Sequence, residues 1–266
     1  MLRAARRDEA IDSIRTMFWF YYLARELLTQ SARDVQRAIS PMSDFDAFGH
    51  RIKNNKFLSY SRGSHVPSKK IIEQAAALFP KSAWILDHVL WKILRSLSVE
   101  EKSARQWAGH LAHHIQKAIV RPNNEFGENN RTVDMLMKRP CLDSLAALTI
   151  MFRFYNENPR ARSDTSSYDA HQAWWYAIAI FRMLLMLGGQ FLSDKVRAAV
   201  FMLYTEKVFH LVDWSRGRRF DCSGYDYCAM SAQLLVKTAE KGIYLQRELR
   251  QDEVDQVMDL IQVSLQ

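Results

Sequence analysis

The 266-residue sequence contains little glycine, proline or cysteine, with nine, six and three residues respectively. Glycine and proline occur at roughly half their ordinary frequency, which argues against collagen-like, low-complexity and turn-rich all-β proteins. Three cysteines, Cys141, Cys222 and Cys228, are an odd number in a long chain, so a disulfide framework is improbable. This cysteine usage favours a reducing compartment, and we expect a cytoplasmic protein.

The sequence indicates neither a secretory signal nor a membrane-spanning helix. The amino-terminal segment has no apolar stretch before Asp8 and Glu9, so no secretory signal is expected. Residues 173–192 are apolar and long enough to cross a bilayer, but Arg182 lies in the middle of the segment. We therefore predict a buried core helix there and no membrane partner.

Apolar residues recur at helical spacing through most of the chain. Ile11, Ile14 and Phe18 mark one face of a first long helix over about 8–29. The run MFWFYY at 17–22 covers every face of that helix, so we expect it to pack in the core. With 48% hydrophobic residues, the chain can bury a sizeable core. The predicted fold is all-α, a multi-helix bundle with an amino-terminal helix-turn-helix-like unit.

Capping residues predict where several helices begin and end. Ser31 begins a helix that Pro41 ends, and Pro67-Ser68 begins another that Pro80 ends. Ser82 is expected to cap the next helix. Ser98 with Glu101 has the spacing of a capping box for a helix over 99–118.

The polar interval 121–132 is the clearest break in the helical pattern. We predict a linker or loop there. It would follow a helical domain over 1–120, whose helix-turn-helix-like unit occupies about 44–80. It would precede a helical bundle over 133–266, which could dimerise or bind a partner protein.

Positive charge is concentrated in one short window of the sequence. Residues 51–70 contain six basic and no acidic side chains, in a chain whose net charge is +8. The basic residues are Arg51, Lys53, Lys56, Arg62, Lys69 and Lys70. Such a cluster can neutralise phosphates and release counterions on binding nucleic acid. The alternative interpretation is an ordinary interhelical turn with a solvated basic face.

The segment NNKFLSYSRGSHVPSKKIIEQAAALFP at 54–80 resembles the carboxy-terminal half of the lambda-repressor-like (Cro/repressor) helix-turn-helix family. In that resemblance Phe57 and Tyr60 are apolar anchors of the recognition helix, and Gly63 is a turn residue with positive φ. Pro67-Ser68 begins the next helix. The preceding segment 46–53 matches the family only loosely, through Ala47 and Gly49.

The resemblance implies which side chains face DNA. Those expected to face the groove are Lys53, Asn54, Asn55, Lys56, Ser59 and Ser61. Those expected towards phosphates are Arg62, Ser64, His65, Ser68 and Lys69. Besides Phe57 and Tyr60, the apolar anchors expected within 44–62 are Phe45, Phe48, Ile52 and Leu58.

Other groups of residues are weaker candidates for a functional site. His110, His113 and His114 share a predicted helix, but the glutamate of an HExxH motif is missing, so we expect surface histidines. Cys222 and Cys228 have no matching ligand pair and are interpreted as ordinary thiols.

A second basic patch, at Arg216, Arg218 and Arg219, is interpreted as a solvated loop. The sequence contains no nucleotide-binding glycine loop, nucleophile elbow or paired-carboxylate pattern. We therefore expect no enzyme, no cofactor and no metal.

The function predicted from these patterns is DNA binding for transcription regulation. A helix-turn-helix-like segment would contact the DNA, and the carboxy-terminal helices would bind a second copy or a protein partner. The alternative is a non-enzymatic helical protein-interaction or scaffold module, whose basic face meets an acidic protein. The dependence of affinity on ionic strength distinguishes DNA binding from protein interaction, because phosphate contacts weaken steeply with salt.

Overall fold

The structure is a computed structural model. It describes residues 9–29, 31–41, 50, 55–121, 126 and 130–157. It also describes the separate positions 176–177, 179–180, 183–184, 187, 200, 203–204, 206–208, 256 and 259. All statements below concern these residues.

The all-α prediction is confirmed. Apart from one isolated antiparallel bridge between Val120 and Phe126, the regular structure in the described ranges is helical. The first five helices are α1 (Glu9–Glu26), α2 (Ala32–Ile39), α3 (Lys56–Ser61), α4 (Lys69–Leu78) and α5 (Lys81–Asp87). They are followed by α6 (Val89–Arg95), α7 (Glu101–Ala108), α8 (His113–Ile119), α9 (Asn130–Met137) and α10 (Leu142–Glu157).

The aromatic run in α1 packs in the core, as its all-round pattern predicts. Met17, Phe18, Trp19, Phe20 and Tyr22 are buried. A helix that is apolar on every side must be surrounded by other elements. Helices α2, α3 and α5 all contact α1 and provide these surroundings.

Two of the predicted helix starts are confirmed. Ser31 precedes α2 in an extended conformation, and its side-chain oxygen accepts a hydrogen bond from the Asp34 amide. Helix α4 begins immediately after Pro67-Ser68 and ends at Leu78, shortly before Pro80. The local sequence is enough to fix these ends because caps and prolines act within one turn.

Three other predictions about helices are wrong. Ser98 does not form a capping box with Glu101, because α7 begins at Glu101 and the residue at its N-cap is Glu100, with no side-chain capping bond. Ser82 does not cap α5, because α5 begins at Lys81 and Ser82 is already inside the helix and buried. The expected helix over 99–118 is divided into α7 and α8 by a turn at 109–112. Within that turn the Ala112 amide donates to the Asp143 carboxylate, and Gln116 Nε2 donates to the Gly109 and Leu111 carbonyls. These side chains satisfy the backbone groups that a continuous helix would have paired.

The described residues belong to two compact units. The amino-terminal unit runs to Trp91 and contains α1 to α5; the carboxy-terminal unit begins at Lys92. The division falls inside α6. The domain boundary predicted from the sequence lies later in the chain, at 121–132. That division into two domains stays a prediction.

In the amino-terminal unit, α1 is the central element. Helices α3 and α5 pack on α1, α2 packs on α3, and α4 packs on α5 and α2. The Trp91 indole packs against the core of this unit. Its Nε1 donates to the Ile85 carbonyl at 2.7 Å, and its ring meets Phe18 edge to face. The short helix α3 thus lies against two longer helices, α1 and α2.

In the carboxy-terminal unit, α10 is central. Helices α7, α8 and α9 pack on it, and all of its residues except Asp143, Asn156 and Glu157 are buried. Within the interval 121–132, Phe126 is buried, packs against Phe154 at 4.7 Å and accepts a hydrogen bond from the Tyr155 hydroxyl.

Segment 173–192 is described only at separate positions. Each of these is helical and buried: Tyr176, Ala177, Ala179, Ile180, Met183, Leu184 and Leu187. Their burial agrees with a core helix. Among the described helices, none has the length and apolar character that crossing a membrane requires.

Candidate nucleic-acid interface

Nine of the eleven side chains predicted to face DNA lie in one stretch of the amino-terminal unit. We call residues 55–78, which comprise α3, the following turn and α4, the α3–α4 segment. Lys53 and Asn54 lie outside the described residues, as does most of 46–53. Exposed members are Asn55, Lys56, Arg62, Ser64, His65, Ser68 and Lys69; Ser59 and Ser61 are half-buried.

Helix α3 is attached to α1 by an aromatic cluster. Phe57 and Tyr60 are buried, and their rings lie 5.3 Å apart. Trp19 of α1 meets the Tyr60 ring edge to face at 5.8 Å and lies 6.4 Å from Phe57. Burial raises the pKa of the Tyr60 phenol, so it stays neutral over the physiological range. The two predicted anchors are therefore confirmed, and together they fix which side of α3 faces inward.

The turn after α3 needs glycine for two reasons. Gly63 has φ of +68°, a conformation that side chains with a Cβ rarely adopt. A Cβ built at this position would lie 2.1 Å from Ser13 Oγ and 2.8 Å from the Ser13 carbonyl oxygen of α1. The backbone of the turn thus lies directly against α1. The predicted positive-φ turn residue is confirmed, and the close approach to α1 is a feature that the sequence pattern did not reveal.

Backbone hydrogen bonds close this turn as a Schellman motif. The Ser64 amide donates to the Ser59 carbonyl at 3.0 Å, and the Gly63 amide donates to the Tyr60 carbonyl at 3.1 Å. The Ser64 hydroxyl also donates to the Ser59 carbonyl, at 3.2 Å. Arg62 and the residues that follow it therefore leave α3 in a defined direction.

Hydroxyl groups on α3 are oriented by the helix itself. Ser59 Oγ donates to the Asn55 carbonyl at 3.2 Å, and Ser61 Oγ donates to the Leu58 carbonyl at 2.8 Å. A hydroxyl whose proton is used in this way still has acceptor lone pairs. These two oxygens can accept a hydrogen bond from an amino group of a base.

The outward side of α3 carries Asn55, Leu58, Ser59 and Arg62, a spacing of three, four and seven residues that defines one helical face. We call these four residues the outward face of α3. Leu58 belongs to this face with 37% of its surface exposed, so its prediction as an apolar anchor is wrong. The physical reason is that Phe57 and Tyr60 fill the contact with α1, and the two residues between them, Leu58 and Ser59, lie on the opposite face of the helix.

Exposed cations are concentrated in the α3–α4 segment. Lys56, Arg62, Lys69 and Lys70 are exposed, and the sequence has no acidic residue from 55 to 72. Lys69 lies 3.8 Å from Glu73, but both side chains are largely exposed, so this pair screens the charge only weakly. The first turn of α4 contains no acidic residue, although helices usually favour one there. The α3–α4 segment thus presents a concentrated positive charge to solvent.

The weaker candidates give no competing site within the described residues. His110, His113 and His114 are exposed, and no three His, Cys, Asp or Glu side chains in the described ranges come together as metal ligands. Cys141 Sγ lies 3.3 Å from Ser144 Oγ at the start of α10. The predictions for Cys222, Cys228 and the arginines at 216–219 lie outside the described residues.

Comparison with known proteins identifies no relative. No family model, curated protein or solved structure matches this chain. The resemblance of 54–80 to the lambda-repressor-like family therefore stays a prediction.

Proposed function

We propose that the α3–α4 segment binds duplex DNA, with the outward face of α3 in the major groove. The observation that carries the proposal is the combination of a fixed inward face and an exposed, positively charged outward face on one short element. Phe57 and Tyr60 hold α3 against α1, while Lys56 and Arg62 face solvent. A positioned cationic element is what groove binding requires.

Phosphate contacts would come from the three exposed lysines of the α3–α4 segment. Lys56 begins α3, and Lys69 and Lys70 begin α4. Each phosphate that a cation neutralises releases a counterion, so affinity falls with salt in proportion to the number of contacts. The Ser64 hydroxyl, which donates to the Ser59 carbonyl, is less suited to a phosphate contact than these cations.

The base edges would be read by Asn55, Ser59 and Arg62. Asparagine can pair with adenine through two hydrogen bonds, and arginine with guanine in the same way. Along a helix axis, seven residues rise roughly 10 Å, and this length corresponds to about three base pairs. The outward face of α3 therefore matches a short recognition sequence, and a second copy of the chain would extend it.

A binding titration tests this proposal. The purified full chain is titrated with random-sequence duplex DNA at low and moderate salt, beside a Lys56→Ala/Arg62→Ala variant. We expect measurable binding that weakens with salt. In the variant we expect weaker binding from the loss of both side chains. We also expect a salt slope smaller by about 0.9, the contribution of the one phosphate contact that Lys56 makes.

A matched control separates specific contacts from net charge. Lys102 and Lys117 are exposed lysines of the carboxy-terminal unit, on α7 and α8. The Lys102→Ala/Lys117→Ala variant loses the same two charges and should keep wild-type affinity. Equal losses in both variants, or no binding by the wild type at low salt, would contradict the proposal.

Exposed apolar residues favour a protein partner as the second candidate. Leu78 and Trp84, on α4 and α5 of the amino-terminal unit, expose 54% and 44% of their surfaces. An interface built on such residues resists salt, unlike one built on phosphate contacts. If an acidic protein competes with DNA and the binding of that protein persists at high salt, the data favour the protein-interaction function over DNA binding.

A further inference from the structure

We propose that Leu58 is a specificity-determining residue that contacts the 5-methyl group of a thymine. This inference depends on the proposed DNA-binding function, and it assigns a role to a side chain that the sequence pattern placed in the core. Leu58 lies on the outward face of α3 and exposes 37% of its surface.

The position of Leu58, more than its exposure, distinguishes it from other exposed leucines. Single exposed apolar side chains are common on protein surfaces and need no functional explanation. Leu58, however, lies between Asn55 and Arg62 on the face that carries the candidate base-reading groups. Every other member of this face is polar or charged.

Groove chemistry limits what Leu58 can recognise. A leucine side chain neither donates nor accepts hydrogen bonds, so polar base edges gain nothing from it. In the major groove, thymine presents an apolar methyl group, whereas the other base edges present hydrogen-bond donors and acceptors. The methyl group is therefore the partner that leucine would select, and a polar edge opposite it would be left unpaired.

The neighbouring contacts set where that thymine lies. Asn55 and Arg62 are separated by seven residues, or roughly 10 Å along the axis, and Leu58 lies between them. A duplex read by Asn55 and Arg62 would thus place the thymine within the same three or so base pairs. The contact adds discrimination against cytosine at that position, because cytosine lacks the methyl group.

The test compares thymine with uracil, which differs only by that methyl group. Preferred duplexes are first selected by the wild-type full chain from a pool with randomised central base pairs. Each thymine of the best duplex is then replaced singly by uracil. We expect one replacement to weaken wild-type binding about fourfold, the contribution of one buried methyl group. The Leu58→Ala variant should not respond to that replacement, which completes a double-mutant cycle.

Leu78→Ala is the matched control, since Leu78 is an exposed leucine on α4 of the same unit. This variant should keep the wild-type response to uracil. The inference is overturned if wild-type protein binds DNA but responds to no uracil replacement, or if Leu58→Ala responds as the wild type does. Failure of the wild type to bind any duplex would instead overturn the proposed function, and this inference with it.

Discussion

Two arginines of this protein have opposite environments. Arg62 ends α3 at the surface of the amino-terminal unit, where its side chain is exposed. Arg153 of α10, in the carboxy-terminal unit, is 3% exposed, and its guanidinium donates to the Glu157 carboxylate and to the carbonyls of Ile93 and Ser96. Arg153 is used by the fold, because these bonds satisfy a guanidinium that is itself buried. Arg62 leaves its charge available to a partner.

The same contrast extends to the helices that carry them. Helix α10 packs on almost every side, so its polar groups must pair inside the protein. Helix α3 buries Phe57 and Tyr60, while Lys56 and Leu58 are exposed to solvent. A charge therefore suggests function only after its burial and partners are known.

The largest expected effect is that of Arg153→Met, which removes the buried charge at similar volume. The Ile93 and Ser96 carbonyls and the Glu157 carboxylate each lose one donor, so we expect the free energy of unfolding to fall by about 3–5 kcal/mol. Chemical denaturation measures this. A loss below about 1 kcal/mol would show that Arg153 is no more structural than a surface arginine.

A second large effect is expected from Gly63→Ala, which would disturb the turn that directs Arg62. The left-handed conformation costs a residue with a Cβ about 1–2 kcal/mol, and the clash with the Ser13 backbone adds to this cost. We expect unfolding free energy to fall by about 2–4 kcal/mol and α3 to shift against α1. Unchanged stability would contradict the close packing of the turn.

The turn at Leu28 is a control for the turn at Gly63, because both have the same backbone conformation. Leu28 follows α1 in the same Schellman pattern, with its amide donating to Arg25 and the Thr29 amide to Ala24, and it has φ of +52°. Its side chain is 94% exposed, so little packing is lost on its removal. Leu28→Gly should therefore stabilise the protein by about 0.5–1 kcal/mol. A destabilised variant would show that the Leu28 side chain has a structural contact.

The smallest expected effect on stability is that of Arg62→Met, the counterpart of Arg153→Met. Surface substitutions outside special features usually change stability by no more than about 0.5 kcal/mol. We expect thermal and chemical denaturation to match the wild type, while DNA affinity falls. Weaker binding that is fully explained by unfolding would remove the distinction between the two arginines.

Local signals in the sequence were sufficient for much of the amino-terminal unit. Glycine can adopt a positive φ and proline fixes φ, so Gly63 and Pro67-Ser68 identify the turn and the start of α4. The aromatic pair Phe57 and Tyr60 has the spacing of one helical face. The sequence does not predict the exposure of Leu58, because it does not show on how many sides α3 is packed. On α3 only Phe57 and Tyr60 are buried, and their neighbour Leu58 is exposed.

Long-range contacts explain what the sequence could not predict. Arg153 is the one basic residue in an apolar helix, and its carbonyl partners Ile93 and Ser96 lie about sixty residues away in the chain. The break between α7 and α8 likewise uses Asp143, thirty-one residues after Ala112. Periodicity within a short window contains no information about either contact.

The most direct test of the central claim is the salt-dependent titration of the full chain with duplex DNA, wild type against Lys56→Ala/Arg62→Ala. The account predicts binding that weakens with salt in the wild type, a smaller salt slope in this variant, and wild-type behaviour in Lys102→Ala/Lys117→Ala. Absence of binding at low salt, or equal slopes in all three proteins, would contradict the assignment of the α3–α4 segment to DNA.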